Sequence, residues 1–295
     1  MTQIDKLRAK GLTGKGIKIA VIDTGIDYRH PALGGCFGKG CLVGYGYDYY
    51  GLLGEDADPF DECNGHGTHV AGIIAAQPNP LGFTGAAPGV TLGAYKALTC
   101  AGSSREDVLV AAFNRAFDDG SHIINFSASL QFDWSDHPLS VAVQRIVDKG
   151  VPCITSPGNN GYRGLWGSGA PAVGRGVAAV ANFINNEYPS IHSAASYTVD
   201  GQDRQSAVPF SWHPGNPALP TISMPLWASS NNTAEEEDAC NPIVGNVPDL
   251  SKHIVLVRDS NLPASEFVTC KIVNKITNLV ERGAEYIIVY SLNNT

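Results

Sequence analysis

The chain has 295 residues, of which 43% are hydrophobic and 16% charged, a globular composition that can bury a core rather than a disordered one. No apolar run reaches the ~18 residues that a membrane-spanning helix needs. A formal charge of −8 argues against nucleic acid and anionic membrane surfaces as partners.

The opening fifteen residues, MTQIDKLRAKGLTGK, hold no apolar h-region, so no signal peptide is expected there. "IKIAVID" (17–23) is a β-branched run that stops at a polar turn, the pattern of a strand. "GTHVAGIIAAQ" (67–77) reads as a buried helix of small residues, and "TLGAYKAL" (91–98) as a strand. Residues 104–120 predict a helix, with Ser104 and Asp107 as a capping pair, Leu109, Phe113 and Phe117 as its apolar stripe, and Gly120 as its stop. "HIINFSAS" (122–129), "VPCITSPG" (151–158) and "GVAAVANF" (176–183) read as strands, and "LSVAVQRIVDKG" (139–150) as a helix. This alternation implies an α/β fold: a parallel sheet with helices on both faces. A Pro- and Gly-punctuated stretch at 201–220 lacks periodicity and marks a boundary. Beyond it, "HIVLVRDS", a helix over 265–283 and "EYIIVYS" predict a second, small α/β unit. The expected domains are 1–205 and 206–295.

The seven cysteines are odd in number and suggest an oxidising, secreted setting. Cys36 and Cys41 bracket a Gly-rich loop, and Cys240 and Cys270 both lie in the second unit. These two pairs are the disulfide candidates. Cys153 falls in an apolar strand and is expected as a buried free thiol. The alternative is that all seven are reduced.

Three polar residues share one kind of place. Asp23 ends its strand, His66 stands at the mouth of a helix, and Asn159 follows a strand in "SPGNNG". In a parallel sheet such positions gather at the carboxyl edge, where sites form. Each residue alone is also ordinary turn chemistry. Together they make sense as a unit: a carboxylate to orient an imidazole, an imidazole as base, and an amide donor for an oxyanion. His69, one turn further along, is expected as a core histidine.

At this point "VIDTGID" and "NGHGTHVAG" resemble the aspartate and histidine boxes of the subtilisin-like serine proteases, the subtilases, and "APGVTLGAYKAL" and "SPGNNG" follow in that family's order. The likeness covers roughly residues 10–200. It implies a subtilisin-like fold and serine-type endopeptidase activity on peptide or protein substrates. It further implies that Asp23 orients, His66 is the general base and Asn159 serves the oxyanion hole. Ser127, Ala128, Ser129 and Gly158 would line the substrate cleft. "LGGCFGKGC" and the stretch from "DACNP" resemble large secreted fungal subtilases, so residues 206–295 are similar to an incomplete protease-associated domain. The same resemblance implies an extracellular location and a monomer at full length.

The family's Gly-Thr-Ser-Met-Ala box does not occur in this sequence. Ser223 in "TISMPLW" is its nearest imitation, but Pro225 and the β-branched Thr221 and Ile222 favour an extended chain, and no glycine precedes it. The expectation is a chain that stops before its nucleophile and is inactive alone. The alternative is a non-catalytic pseudoprotease that binds peptides or a partner. Two departures bear on binding: Asn125 is followed by Phe126-Ser127-Ala128-Ser129 where the family has Ser-Leu-Gly, and Pro157 precedes Gly158 where it has Ala.

Aspartic-protease chemistry is set aside, because it needs a second aspartate triplet like "DTG". Zinc on His66 and His69 is set aside too, because the glutamate of His-Glu-x-x-His is missing. No metal or cofactor is expected. The acidic loop "GEDADPFDE" is read as solvated, with calcium as its alternative. Of the sequons at Asn125, Asn231 and Asn293, Asn231 is the glycosylation candidate, and Asn125 is expected to be buried and unmodified.

Overall fold

The computed structural model describes residues 2–50, 56–80, 82–182, 192–199, 207–213, 221–233, 235, 238–259 and 270–291. They fall into two compact units, 1–187 and 188–295. The division precedes the composition shift at 201, and the strands Ser193–Tyr197 (β7) and Val208–Trp212 (β8) pair as an antiparallel hairpin across part of that stretch.

The first unit is built on a six-stranded sheet. Its strands are β1 (Lys18–Asp23), β2 (Val43–Asp48), β3 (Thr91–Lys96), β4 (Ile123–Phe126), β5 (Cys153–Thr155) and β6 (Ala178–Ala179). The order is β2-β3-β1-β4-β5-β6, every pairing parallel. After β1 the chain places β2 at one edge and fills the gap with β3, then builds outward on the other side through β4, β5 and β6, which leaves β1 interior and its carboxyl end at the reversal point.

Helices cover both faces. Helices α3 (Glu106–Asp118) and α4 (Pro138–Asp148) pack Leu109, Phe113, Leu139 and Val143 against Ile22, Ile124 and Phe126. On the opposite face, helix α2 (His66–Ala75) packs Val70, Ala71 and Ala75 against Ile19, Val21, Leu92 and Ala94. Each large side chain so buried contributes about 1.5–3 kcal/mol. A short helix, α1 (Ile4–Ala9), precedes the sheet. Among the described residues no helix is long and apolar enough to cross a membrane.

Two expectations are corrected here. Ser104 does not cap α3: its Oγ donates to the Ala97 carbonyl at 2.5 Å, and Asp107 instead binds the Arg105 guanidinium at 2.7 and 3.0 Å. The helix starts after Arg105 with no side-chain cap, because Ser104 closes the turn leaving β3. His69 is exposed rather than in the core. Helix α2 buries Gly67, Val70, Ala71 and Ala75, and at 3.6 residues per turn position 69 points away from that stripe, as does Ile73, which is 54% exposed.

The second unit has a three-stranded parallel sheet of order β11-β10-β9, from Tyr286–Tyr290 (β11), Ile254–Arg258 (β10) and Leu226–Ala228 (β9). Val255 and Val257 pack with Leu250 and with Leu279 of helix α5 (Ile272–Glu281). The predicted helix began at 265, and 265–269 lie outside the described residues. Disulfides join Cys36 to Cys41, Cys63 to Cys100 and Cys240 to Cys270, and Cys153 is a buried free thiol. Burial alone pushes the Cys153 thiol up to about 12, so it stays protonated.

Candidate active site

Strand β1 delivers Asp23, fully buried, to the carboxyl edge of the sheet. The chain then turns at Gly25 (φ 99°), where a side chain would press on the Pro59 carbonyl and on Lys96. Helix α2 starts opposite. Its N-cap is Gly65, with φ 88° in the left-handed region that glycine occupies without cost. His66 is the first helical residue, and its backbone N–H donates to Asn64 Oδ1 at 3.1 Å.

The two side chains meet. His66 Nδ1 lies 2.7 Å from Asp23 Oδ1, with the imidazole 46% exposed and the carboxylate wholly buried. An ionised carboxylate only accepts hydrogen bonds, so the ring proton sits on Nδ1 and Nε2 keeps its lone pair. Nε2 has no hydrogen-bond partner among the described residues. Asp23 Oδ1 also accepts the Thr24 N–H at 2.8 Å, whereas Oδ2 is buried without a partner among the described residues. Burial raises the Asp23 pKa above the ordinary carboxylate value, against the pull of His66 and the Thr24 N–H.

A cleft of about 380 Å³ opens beside the pair, lined by Thr24, Asn64, His66, Leu98, Ser127, Ala128, Ser129, Ser156, Gly158 and Asn159, among others. Asn159 is exposed, and no hydrogen bond holds its side-chain amide among the described residues. Gly158 has φ 95°, and any side chain there would run into Ser129 Oγ. Ser127 Oγ accepts from the Asn125 amide at 3.0 Å. Asn125 is half-buried at the end of β4 rather than sealed in the sheet. Pro157 has no N–H to offer the cleft, and its carbonyl accepts from Gly169 N–H at 2.9 Å.

The residue types that sequence reasoning passed over hold this geometry in place. Asp61, buried, accepts from Thr24 Oγ1 (2.8 Å), Gly65 N–H (2.7 Å), Asn64 N–H (2.9 Å) and Cys63 N–H (3.3 Å). Glu62 takes both oxygens to the buried Lys96 ammonium at 2.9 and 2.7 Å, and Asp48 approaches the same nitrogen at 3.3 Å. Burial opposes the Lys96 charge, and these carboxylates outweigh it, so its pKa is raised. The Cys63–Cys100 disulfide ties the loop before His66 to the turn after β3. The legible signal for it was Cys63 standing three residues before His66.

The described carboxylates of the acidic loop are spent on protein donors: Asp56 on the Asp58 N–H (2.6 Å), Asp58 on the Tyr28 hydroxyl (2.6 Å), Asp61 and Glu62 as above. Among the described residues one group of metal-ligand types converges, Glu62 with Cys63 and Cys100, and its sulfurs are joined in the disulfide. His69 sits on the exposed side of α2 and Ser223 in an exposed irregular stretch of the second unit. Asn231 is exposed, and Asn293 lies outside the described residues.

Gly67 sets how closely α2 approaches β1. A Cβ there would collide with the Gly25 carbonyl oxygen and press on Asp23 Cβ. Gly67→Ala is therefore expected to destabilise the first unit by about 1–3 kcal/mol, read as a lower denaturant midpoint. An unchanged midpoint would show that the helix has room to move.

The arrangement can take a proton at Nε2, stabilise the resulting imidazolium, and present an amide to a developing oxyanion. A family model described as the subtilase family, Peptidase_S8, matches residues 14–247. Minor extracellular protease Vpr of Bacillus subtilis (strain 168) is 37% identical over 204 residues, 67% of this chain but 25% of Vpr. Subtilisin DY of Bacillus licheniformis is 31% identical over 221 residues, 73% of this chain and 74% of that protein. Among solved structures, Sphericase is 33% identical with a TM-score of 0.48, covering 59% of this chain and 56% of that one.

Proposed function

This chain belongs to the subtilase family, and from that premise we propose that its first unit supplies the acid, the base and one oxyanion donor of a serine-type endopeptidase acting on peptide bonds in protein substrates. The hydrogen bond between Asp23 and His66, whose side chain lines the cleft, carries this reading. His66 Nε2 takes the proton of an attacking serine hydroxyl, and Asp23 stabilises the imidazolium that results. The Asn159 amide donates to the oxyanion of the tetrahedral intermediate. The imidazolium then returns its proton to the leaving amine. Ser127, Ala128, Ser129 and Gly158 hold the peptide along the cleft.

The proposal assigns no serine of residues 1–295 as the nucleophile, and a chain without one is expected not to turn over peptides. Loss of such a serine costs about 10⁶ in kcat. Residues 206–295 are proposed as part of a protease-associated domain. The three disulfides favour an extracellular place of action, where such bonds persist.

A peptide chloromethyl ketone tests the base without needing the serine. Neutral Nε2 displaces chloride, a C–N bond forms, and the Nδ1 proton is lost to water. We expect one adduct per chain, mapped by mass spectrometry to His66, although the sequence has eight histidines and His69 is exposed. Labelling of His69 as fast as His66 would sink the assignment.

A further inference from the structure

Helix α2 has an N-cap residue that cannot cap it, although Asn64 Oδ1 takes the His66 N–H at 3.1 Å. The first N–H groups of any helix lack intrahelical partners, and the N-cap here is Gly65, which has no side chain to offer. Yet Gly67 N–H is bound, at 3.0 Å, by the hydroxyl of Thr24 from the end of strand β1. That hydroxyl in turn donates to Asp61 Oδ2 at 2.8 Å, and the same oxygen accepts Gly65 N–H at 2.7 Å. Thr24 is 1% exposed and Asp61 6%, so water does not compete for these bonds. The backbone N–H of Thr24 completes the link, donating to Asp23 Oδ1 at 2.8 Å, the oxygen that His66 holds.

We infer that Thr24 and Asp61 form a positioning clamp: a capping group relocated from the helix to the neighbouring strand, which fixes the distance between the Asp23 carboxylate and the His66 imidazole. Thr24 is the residue after Asp23, and Gly67 the residue after His66. Their one hydrogen bond therefore ties the two backbones immediately beside the two side chains. Asp61 receives the hydroxyl proton, which aims the oxygen lone pair at Gly67. A merely structural cap would not need to come from the Asp23 strand. This inference rests on the assignment of Asp23 and His66 as an acid–base pair, and it adds the device that holds them in register.

The test uses the full chain and needs no turnover. The His66 Nδ1 proton, shared with Asp23, should give a far-downfield proton NMR signal, and the Gly67 amide should exchange slowly with deuterium despite its place in the first turn of α2. In Thr24→Val, which keeps the shape and removes the hydroxyl, the Nδ1 proton should exchange with water about tenfold faster, the loss expected for one hydrogen bond. Thr24→Ser, which restores the hydroxyl, should return the rate to that of the native chain. A native signal that Thr24→Val leaves unchanged overturns the clamp while the acid–base pair stands. Absence of the signal from the native chain overturns the pair and the clamp together. Should Thr24→Val fail to fold, the native Gly67 amide decides: slow exchange supports the clamp and rapid exchange overturns it.

Discussion

Asp23→Asn is expected to melt higher than the native chain near neutral pH and to be nearly inert as an acid–base device. The carboxylate is fully buried, and one oxygen lacks any partner among the described residues. Burial raises its pKa in the folded state. Between the unfolded value, ~3.9, and the raised folded value, the native state binds more protons than the unfolded one. Stability therefore falls as pH rises through that window, and the cost is present at every pH above it. An amide does not titrate. Its carbonyl can take the place of Oδ1, where the Thr24 and His66 N–H groups converge, and its NH₂ can occupy the vacant side. The advantage of the variant in melting temperature should thus be full near ~pH 7 and vanish below ~pH 3. The chemistry should suffer in the opposite sense. Without a negative charge beside Nδ1 the imidazolium is not stabilised, and with a serine in place kcat should fall about 10⁴-fold. Alkylation of His66 by the chloromethyl ketone should slow in parallel. Equal melting differences at both pH values would overturn the account of the buried charge. Undiminished alkylation would overturn the role of Asp23.

In the second unit the largest effect is expected at Lys275. Its ammonium is wholly buried and donates to Asp238 Oδ1 at 2.7 Å and to the Arg258 carbonyl at 2.9 Å. Asp238 Oδ2 accepts the Arg258 N–H at 3.0 Å. The pair thus stitches α5 to the end of β10. Lys275→Met keeps the apolar stem and removes the charge, which strands the Asp238 carboxylate in the interior. Breaking a buried pair in this one-sided way costs about 3–5 kcal/mol. Adding Asp238→Asn removes the stranded charge and retains an acceptor for Arg258, so the double variant should recover most of the loss. Denaturant unfolding of the second unit reads both. A single variant within about 0.5 kcal/mol of native, the range of a neutral surface change, would show that the pair is not structural.

Much of the fold was legible because its signals are local. β-Branched runs marked β1, β4 and β10, and the glycines at 120 and 150 ended α3 and α4 with φ 75° and 91°. Strand β2, "VGYGYD", was not anticipated, since glycines read as loop. A Cβ at Gly46 would meet the Ala94 carbonyl of β3, and one at Gly93 would enter the Tyr45 ring, so these glycines exist for close strand packing. Ser104 does not cap α3 because its hydroxyl has a partner outside the helix, the Ala97 carbonyl. The small, apolar neighbours of His69 suggest an interior position, but helical periodicity turns it outward.

The sequence by itself determined the order of most elements of the first unit, the kinds of group at their ends, and the family the chain resembles, because periodicity, turn chemistry and contiguous boxes are written within a few residues of one another. Only the tertiary structure decided which groups share a proton or a bond. Asp23 and His66 are separated by 43 positions, Thr24 and Asp61 by 37, and Cys63 and Cys100 by 37. Distances across such gaps are fixed by how strands register and how near a glycine lets a helix come, and neither quantity belongs to any short stretch of chain.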